Sequence, residues 1–272
     1  MEKILKGKIV AESILKDLEN QKHKRKLGIL RVGDDPGSSY YLNSIINKAG
    51  TVGITVEPLQ LPESTSLEEI KKSLKDMSES KKVNGILVLE PLPENVNITD
   101  LIEIIGKDLD VEGMHPYNLG KLLMGEPRII PSTPGAVLEL MKYYHLDPTG
   151  KETVIIGRSN IVGKPLANLL LRKDALGNAT ITVCHSKTKD IKNISKKADI
   201  LIVAIGQAEF VTDEFIKEGA IVIDVGTNEK DGKMVGDVHF ESVEKKTKAI
   251  TPVPGGVGSI TTAMLLSNLY KL

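Results

Sequence analysis

Thr153-Val-Ile-Ile-Gly-Arg-Ser-Asn-Ile-Val-Gly-Lys-Pro165 is the stretch whose reading decides the fold. The β-branched run Val154, Ile155, Ile156 predicts a buried strand, which Gly157 stops. Gly163 and the following Pro165-Leu-Ala-Asn-Leu-Leu-Leu171 predict the start of a helix. A strand feeding a helix through a tight turn leaves unpaired N–H groups and the positive end of the helix dipole at that turn, where a phosphate is stabilised. This is half of a dinucleotide site. Ser159 stands where the Gly-x-Gly-x-x-Gly fingerprint has its second glycine, so the segment alone reads equally as an ordinary strand-to-helix connection.

The next strand, Thr180-Ile-Thr-Val-Cys-His-Ser186, shifts that balance. Its carboxyl end is where a Rossmann unit normally sets an Asp or Glu against the ribose 2′-hydroxyl. Here that end carries Cys184, His185 and Ser186, while Arg158 follows the first glycine. A cation and small donors in place of a carboxylate suit a 2′-phosphate, so NADP is expected rather than NAD.

The same alternation extends outward through the whole chain. In the first half, strands are expected at Leu27–Val32, Ile54–Leu61 and Gly85–Leu89, and helices near Ile9–Leu18, Ser38–Gly50, Ser66–Met77 and Ile98–Ile105. Ser66 with Glu69 forms a capping-box pattern. In the second half, strands are expected at Thr153–Ile156, Thr180–Cys184, Ile200–Ala204 and Ile221–Val225. Alternating strands and helices imply parallel sheets with ligands at the strands' carboxyl ends. Asp108–Asn118 reads as acidic and turn-rich, and Pro131-Ser-Thr-Pro-Gly135 introduces a helix to about His145; the crossing between two α/β domains is placed in this region. Thr251-Pro-Val-Pro-Gly-Gly-Val-Gly258 reads as a loop opening a last helix from about Thr261 to Leu269, its glycines allowing close backbone approach to a ligand.

Composition removes several functions. Lys plus Arg and Asp plus Glu both number 36 among 272 residues, so there is no basic field for nucleic acid. Aromatic residues are only 3% and Trp is absent, which removes stacking platforms for single strands. One cysteine excludes an intrachain disulfide and a Cys-based zinc cluster, and fits a reducing compartment. No apolar run approaches the roughly 18 residues needed to span a bilayer, and the first residues lack a signal-peptide core. The expectation is a cytoplasmic protein with no membrane or nucleic-acid partner.

Taken in order, Val32-Gly-Asp-Asp-Pro36, His115-Pro-Tyr-Asn118, Pro131-Ser-Thr-Pro134, Gly157-Arg-Ser-Asn-Ile-Val-Gly-Lys-Pro165, Cys184-His-Ser186, Ile223-Asp-Val-Gly226, Gly236-Asp-Val238 and Pro252-Val-Pro-Gly-Gly-Val-Gly258 resemble the methylenetetrahydrofolate dehydrogenase/cyclohydrolase family over essentially the whole chain. The resemblance implies a folate-binding catalytic domain, residues 1–119 plus 256–272, and a Rossmann-type NADP-binding domain, residues 120–255, with a cleft between them and a homodimer. It also implies that Gly157, Arg158, Ser159, His185 and Ser186 hold NADP, with Ile161 and Val162 shaping the turn. Tyr41 would stack on the folate ring system, Glu112 would hold it, and Pro254, Gly255 and Gly256 would line the cleft.

Two catalytic positions of the family are altered. Its Tyr-x-x-x-Lys pair becomes Tyr41 and Ile45, with Ser38 and Val52-Gly53-Ile54 fixing the match on either side. Aligning Lys48 instead would need a deletion inside a helix, turning the following residues by about 100°. The family's Val-Gln-Leu-Pro-Leu-Pro becomes Val88-Leu-Glu-Pro-Leu-Pro93, so its Gln is Leu89 with Glu90 alongside. Asp-Val-Asp-Gly becomes Asp110-Val-Glu-Gly113, retaining a carboxylate at Glu112, and Ser259-Ile260 replaces Pro-Met. Hydride removal leaves a cation stabilised by its own nitrogens and needs no enzyme base, whereas hydrolysis of the methenyl product is helped about 10²- to 10⁴-fold by general acid-base groups. Dehydrogenase activity is therefore expected, with cyclohydrolase activity weak or absent. Ile45, one turn beyond Tyr41, is expected to face the one-carbon unit. A non-catalytic folate and NADP binder, or an NADP oxidoreductase for another small substrate, are the alternatives.

The remaining candidates have plainer readings. His115, a loop histidine before proline, reads as structural, with acid-base work as its alternative. His23, His145 and His239 lack ligand spacing, so no metal is expected. Lys22-His-Lys-Arg-Lys26 reads as a solvated helix end, Cys184 as a core strand residue, and Asp224 as a structural cap or a support for the nicotinamide turn.

Overall fold

The first half of the chain is α1 (Gly7–Glu19), β1 (Lys26–Val32), α2 (Pro36–Thr51), β2 (Thr55–Leu61), α3 (Leu67–Glu79), β3 (Gly85–Val88), α4 (Ile98–Ile105) and α5 (Pro116–Leu123). Its helix starts are set by local chemistry. Asp35 accepts the Ser38 amide at 2.7 Å ahead of α2, with Pro36 at the first helical position. Ser66 and Glu69 close a reciprocal capping box on α3, and Asn97 caps α4. The three strands form a parallel sheet in the order β2-β1-β3, with Leu27 paired to Val56 on one side and Gly85 on the other.

The second half is α6 (Ser132–Tyr143), β4 (Glu152–Ile156), α7 (Gly163–Leu171), β5 (Thr180–Cys184), α8 (Ile191–Ser195), β6 (Ile200–Val203), β7 (Ile221–Asp224), the hairpin β8 (Asn228–Lys230) and β9 (Lys233–Val235), α9 (Phe240–Glu244), β10 (Ala249–Ile250) and α10 (Val257–Lys271). Five strands make a parallel sheet in the order β10-β7-β6-β4-β5. The chain leaves β4 toward β5 on one side and then crosses to β6 on the other. That reversal opens a crevice at the carboxyl ends of β4, β5 and β6.

This is a computed structural model; it describes residues 3–272, which cluster into two units: 3–12 with Thr133–Thr261, and Ser13–Ser132 with Thr262–Leu272. These bounds differ from the expected division at 119/120 and 255/256. The chain before α1 adds to the five-stranded sheet, because Leu5 N donates to Ile250 O and Ile250 N to Lys3 O, each at 2.8 Å. Ile129 is fully buried, and the chain up to Ser132 stays with the three-stranded unit. In that unit Leu265, Leu266 and Leu269 of α10 pack with Leu27, Ile29, Leu87 and Val111. The fit is close: a Cβ on Gly85 would lie 2.7 Å from Leu269 Cδ1.

Two further differences have local causes. The stretch expected to be only turn-rich ends in α5, because Pro116 presets the first helical turn and His115 Nδ1 accepts the Tyr117 amide at 3.1 Å. The last helix starts at Val257 rather than near Thr261, so the glycine loop itself opens the first turn.

Candidate active site

In the three-stranded unit, Glu112 sits on the loop between α4 and α5, and the loop is held by buried polar groups. Asp110 is almost fully buried and accepts from Met114 N at 3.0 Å, His115 N at 2.7 Å and Asn118 Nδ2 at 2.8 Å. Asn268 of α10, fully buried, donates to Val111 O at 3.1 Å and Ile130 O at 2.8 Å. One amide thereby ties the residue before Glu112 to the segment before Ser132. The result is a hydrogen bond from Ser132 Oγ to Glu112 Oε1 at 2.8 Å.

Burial raises the Glu112 carboxyl to about 7, with Asp110 and Glu90 adding to the rise and the Ser132 hydrogen bond opposing it. Tyr41, on α2, is held above the usual phenol range by burial and by the Glu112 carboxyl, against a hydrogen bond with Thr262. Tyr41, Glu112, Ser132 and Thr262 therefore form one polar cluster. Ser132 and Thr262 were not singled out as site residues. The Pro131-Ser-Thr-Pro motif contained the first, and nothing local marked the second.

Below Tyr41 the surroundings are apolar. Ile45 is fully buried and Leu89 is 3% exposed, and both belong to the cluster of Leu18, Leu27, Ile29 and Leu87 against which Tyr41 packs. Ile45 was expected to face the bound one-carbon unit; instead its side chain is part of the core, as is that of Leu89. Lys48 lies three residues beyond Ile45 on the same helix, partly buried, and burial lowers its pKa. His115 caps α5 and its Nε2 lies 3.7 Å from Glu103, which agrees with the structural reading.

In the other unit a cavity of about 510 Å³ opens at the carboxyl ends of β4, β5 and β6. Gly157, Arg158, Ser159, His185 and Ser186 all line it. Gly157 is required there, since a Cβ would lie 2.2 Å from Ala204 O, and a Cβ on Gly163 would likewise lie 2.2 Å from Gly157 O. Ser159 Oγ accepts the Val162 amide at 3.1 Å, leaving its own hydrogen to donate. His185 Nδ1 accepts from Lys187 N at 3.1 Å, so the neutral ring carries its proton on Nε2. Among the described residues the Arg158 guanidinium has no hydrogen-bond or ion-pair partner.

Ile161 and Val162 do not line the cavity: Ile161 is exposed at the turn and Val162 is the residue ahead of α7. Thr188, Ile205, Gln207 and Phe210 also line the cavity and were missed. Their signal was position, just past the carboxyl ends of β5 and β6. Pro254, Gly255 and Gly256 belong to a loop packed on the start of α1. Gly7 N donates to Gly255 O at 2.8 Å, and a Cβ on Gly7 would lie 1.9 Å from Gly256 O.

Two family descriptions match this chain: tetrahydrofolate dehydrogenase/cyclohydrolase, catalytic domain, over residues 5–112, and the NAD(P)-binding domain of the same family over residues 131–272. A bifunctional protein FolD of Clostridium perfringens is 45% identical, with 100% of this chain and 99% of that protein covered. The chain belongs to the tetrahydrofolate dehydrogenase/cyclohydrolase family. Among solved structures, the FolD dehydrogenase/cyclohydrolase of Campylobacter jejuni superposes with a TM-score of 0.92 at 40% identity, covering 98% of this chain and 97% of that one. The Trypanosoma brucei FolD enzyme, complexed with NADP and an inhibitor, gives 0.91 at 33% identity, covering 98% and 96%. For a tetrahydrofolate dehydrogenase/cyclohydrolase the 510 Å³ crevice lies within the NAD(P)-binding match, and Tyr41, Ile45, Leu89 and Glu112 within the catalytic-domain match. Ser132 and Thr262, which complete the Glu112 cluster, lie outside that second match. Among the described residues no helix is long and apolar enough to cross a membrane.

Proposed function

We propose that this chain is an NADP-dependent 5,10-methylenetetrahydrofolate dehydrogenase whose methenyltetrahydrofolate cyclohydrolase activity is absent or very weak. The observation that carries the reading is the contrast between the two ends of the machinery. A dinucleotide crevice keeps Arg158 without a partner among the described residues, while the family's catalytic Lys and Gln positions hold the buried apolar pair Ile45 and Leu89.

NADP fits the crevice residues. Arg158 offers a guanidinium for a 2′-phosphate, the turn before α7 offers amides for the pyrophosphate, and Ser159 Oγ and His185 Nε2 offer donors. Bound NADP supplies a hydride acceptor. On the folate side Tyr41 presents an aromatic face, and the ionised Glu112 accepts from pterin N–H groups while Ser132 orients it. Positioning of this kind suffices for hydride removal. Hydrolysis also requires a proton to be delivered to the leaving nitrogen, which neither Ile45 nor Leu89 can do. We assign folate binding to the unit holding Tyr41 and Glu112 and cofactor binding to the other, in a cytoplasmic homodimer.

Steady-state assays with methylenetetrahydrofolate and NADP or NAD, together with disappearance of methenyltetrahydrofolate above its spontaneous rate, test the proposal. The expected outcome is reduction of NADP with hydrolysis close to background. Hydrolysis as fast as NADP reduction would overturn the loss of cyclohydrolase. Binding of both ligands without turnover would favour the second reading, a non-catalytic folate and NADP binder, to which the same apolar pair also points.

A further inference from the structure

Gly236-Asp-Val238 lies outside the crevice lining, yet its carboxylate organises one wall of it. Asp237 is fully buried. Its Oδ2 accepts from Ile205 N at 2.7 Å and Gly206 N at 3.1 Å, and its Oδ1 from Gln207 N at 2.8 Å and Asn228 Nδ2 at 2.9 Å. Three successive amides converging on one point, with Gly206 at φ +64°, form an anion nest. Ile205 and Gln207, on either side of that glycine, both line the crevice.

We propose that Asp237 is a positioning residue of the cofactor site: its carboxylate fills the nest of Ile205–Gln207 and so fixes the wall against which the adenosine half of the dinucleotide packs. All four of its partners donate, so an ionised carboxylate satisfies them and a carboxamide cannot. With the nest occupied from within, no cofactor phosphate binds there, and the donors at the β4–α7 turn are left as its place. The carboxylate is itself held in register. Asp237 N and Val238 N donate to the Asp224 carboxylate at 3.1 and 2.9 Å, and Gly226 N donates to it at 2.9 Å. Two glycines make the space: a Cβ on Gly226 would lie 2.1 Å from Asp237 Cγ, and one on Gly236 1.8 Å from Asp224 Oδ2.

This inference rests on the reading that the crevice takes NADP, and the test separates the two. Asp237→Asn and Asn228→Ala are compared with wild type for NADP dissociation constant, KM for NADP and for methylenetetrahydrofolate, and amide exchange at 205–207. Asp237→Asn sets an amide donor against amide donors, so exchange at 205–207 accelerates and KM for NADP rises about tenfold or more, with the folate KM within about twofold. Asn228→Ala removes one bond of four and raises KM for NADP by roughly threefold. A wild type that binds no NADP overturns the cofactor reading and this inference with it. A wild type that binds NADP beside a folded Asp237→Asn protein with unchanged KM for NADP overturns the inference alone. If Asp237→Asn does not fold, Asn228→Ala decides: a rise confined to NADP supports the proposal, and none overturns it.

Discussion

Ser132 Oγ donates to Glu112 Oε1 across 2.8 Å, joining the loop before α5 to the start of α6, two places that α10 also ties together through Asn268. A hydrogen bond to a charged group is worth about 1.5 to 3 kcal/mol, and this one favours the ionised carboxylate that a pterin would need. Ser132→Ala is expected to raise the KM for methylenetetrahydrofolate about tenfold while leaving that for NADP unchanged. Steady-state kinetics with each substrate varied in turn decides it; an unchanged folate KM would place the pair outside the substrate site.

The position of Glu112 has a pH consequence. Its carboxyl titrates near 7 in the folded protein, against 4.5 as its ordinary value. Only the ionised form accepts with both oxygens, so folate affinity is expected to weaken as pH falls below about 7, a dependence that Glu112→Gln abolishes. Stability runs the other way. A folded-state pKa above the unfolded one stabilises the fold below 4.5, and that contribution is lost as pH rises through 7. Glu112→Gln should therefore gain stability over wild type by about 1 to 3 kcal/mol at pH 8 and little at pH 4.5. Urea unfolding at the two pH values measures the difference; a gain independent of pH would contradict the raised carboxyl.

Restoring the family's polar pair separates chemistry from packing. Ile45→Lys alone places an ammonium among fully buried aliphatic side chains and is expected to cost roughly 3 to 5 kcal/mol. Adding Leu89→Gln gives that ammonium an acceptor just past β3, so the double variant should recover part of the loss and gain measurable methenyl hydrolysis. Denaturant melts and a hydrolysis assay on the same preparations check both halves. Hydrolysis no greater in a folded double variant than in wild type would refute the assignment of these two positions.

Arg158 lines the cofactor crevice with no protein partner among the described residues, so its substitution removes a ligand contact and little else. Arg158→Ala should raise the KM for NADP by about 10- to 100-fold, the equivalent of a charge-assisted bond of about 1.5 to 3 kcal/mol, and leave that for NAD nearly unchanged. Thermal stability should stay at the wild-type value. Equal losses with both cofactors would show that the guanidinium does not meet the 2′-phosphate.

Strand-turn-helix punctuation is local. Val154–Ile156, Gly157 and the Pro165 helix start could therefore be read directly, and so could the Ser66–Glu69 cap and the crevice residues Arg158, Ser159, His185 and Ser186, each within a few positions of a strand end. Side-chain direction and long-range pairing are not local. Whether Ile45 met substrate or core depended on Leu27, Ile29, Leu87 and Leu89 arriving from other elements. The partner of Glu112 lies 20 residues away, the amide that holds its loop 157 residues away, and the nest filled by Asp237 at most 32 residues back. A sequence supplies the donors and acceptors; which buried acceptor meets which donor is settled only when the sheets and the last helix bring distant segments within about 3 Å, because a hydrogen bond has no strength until that distance is reached.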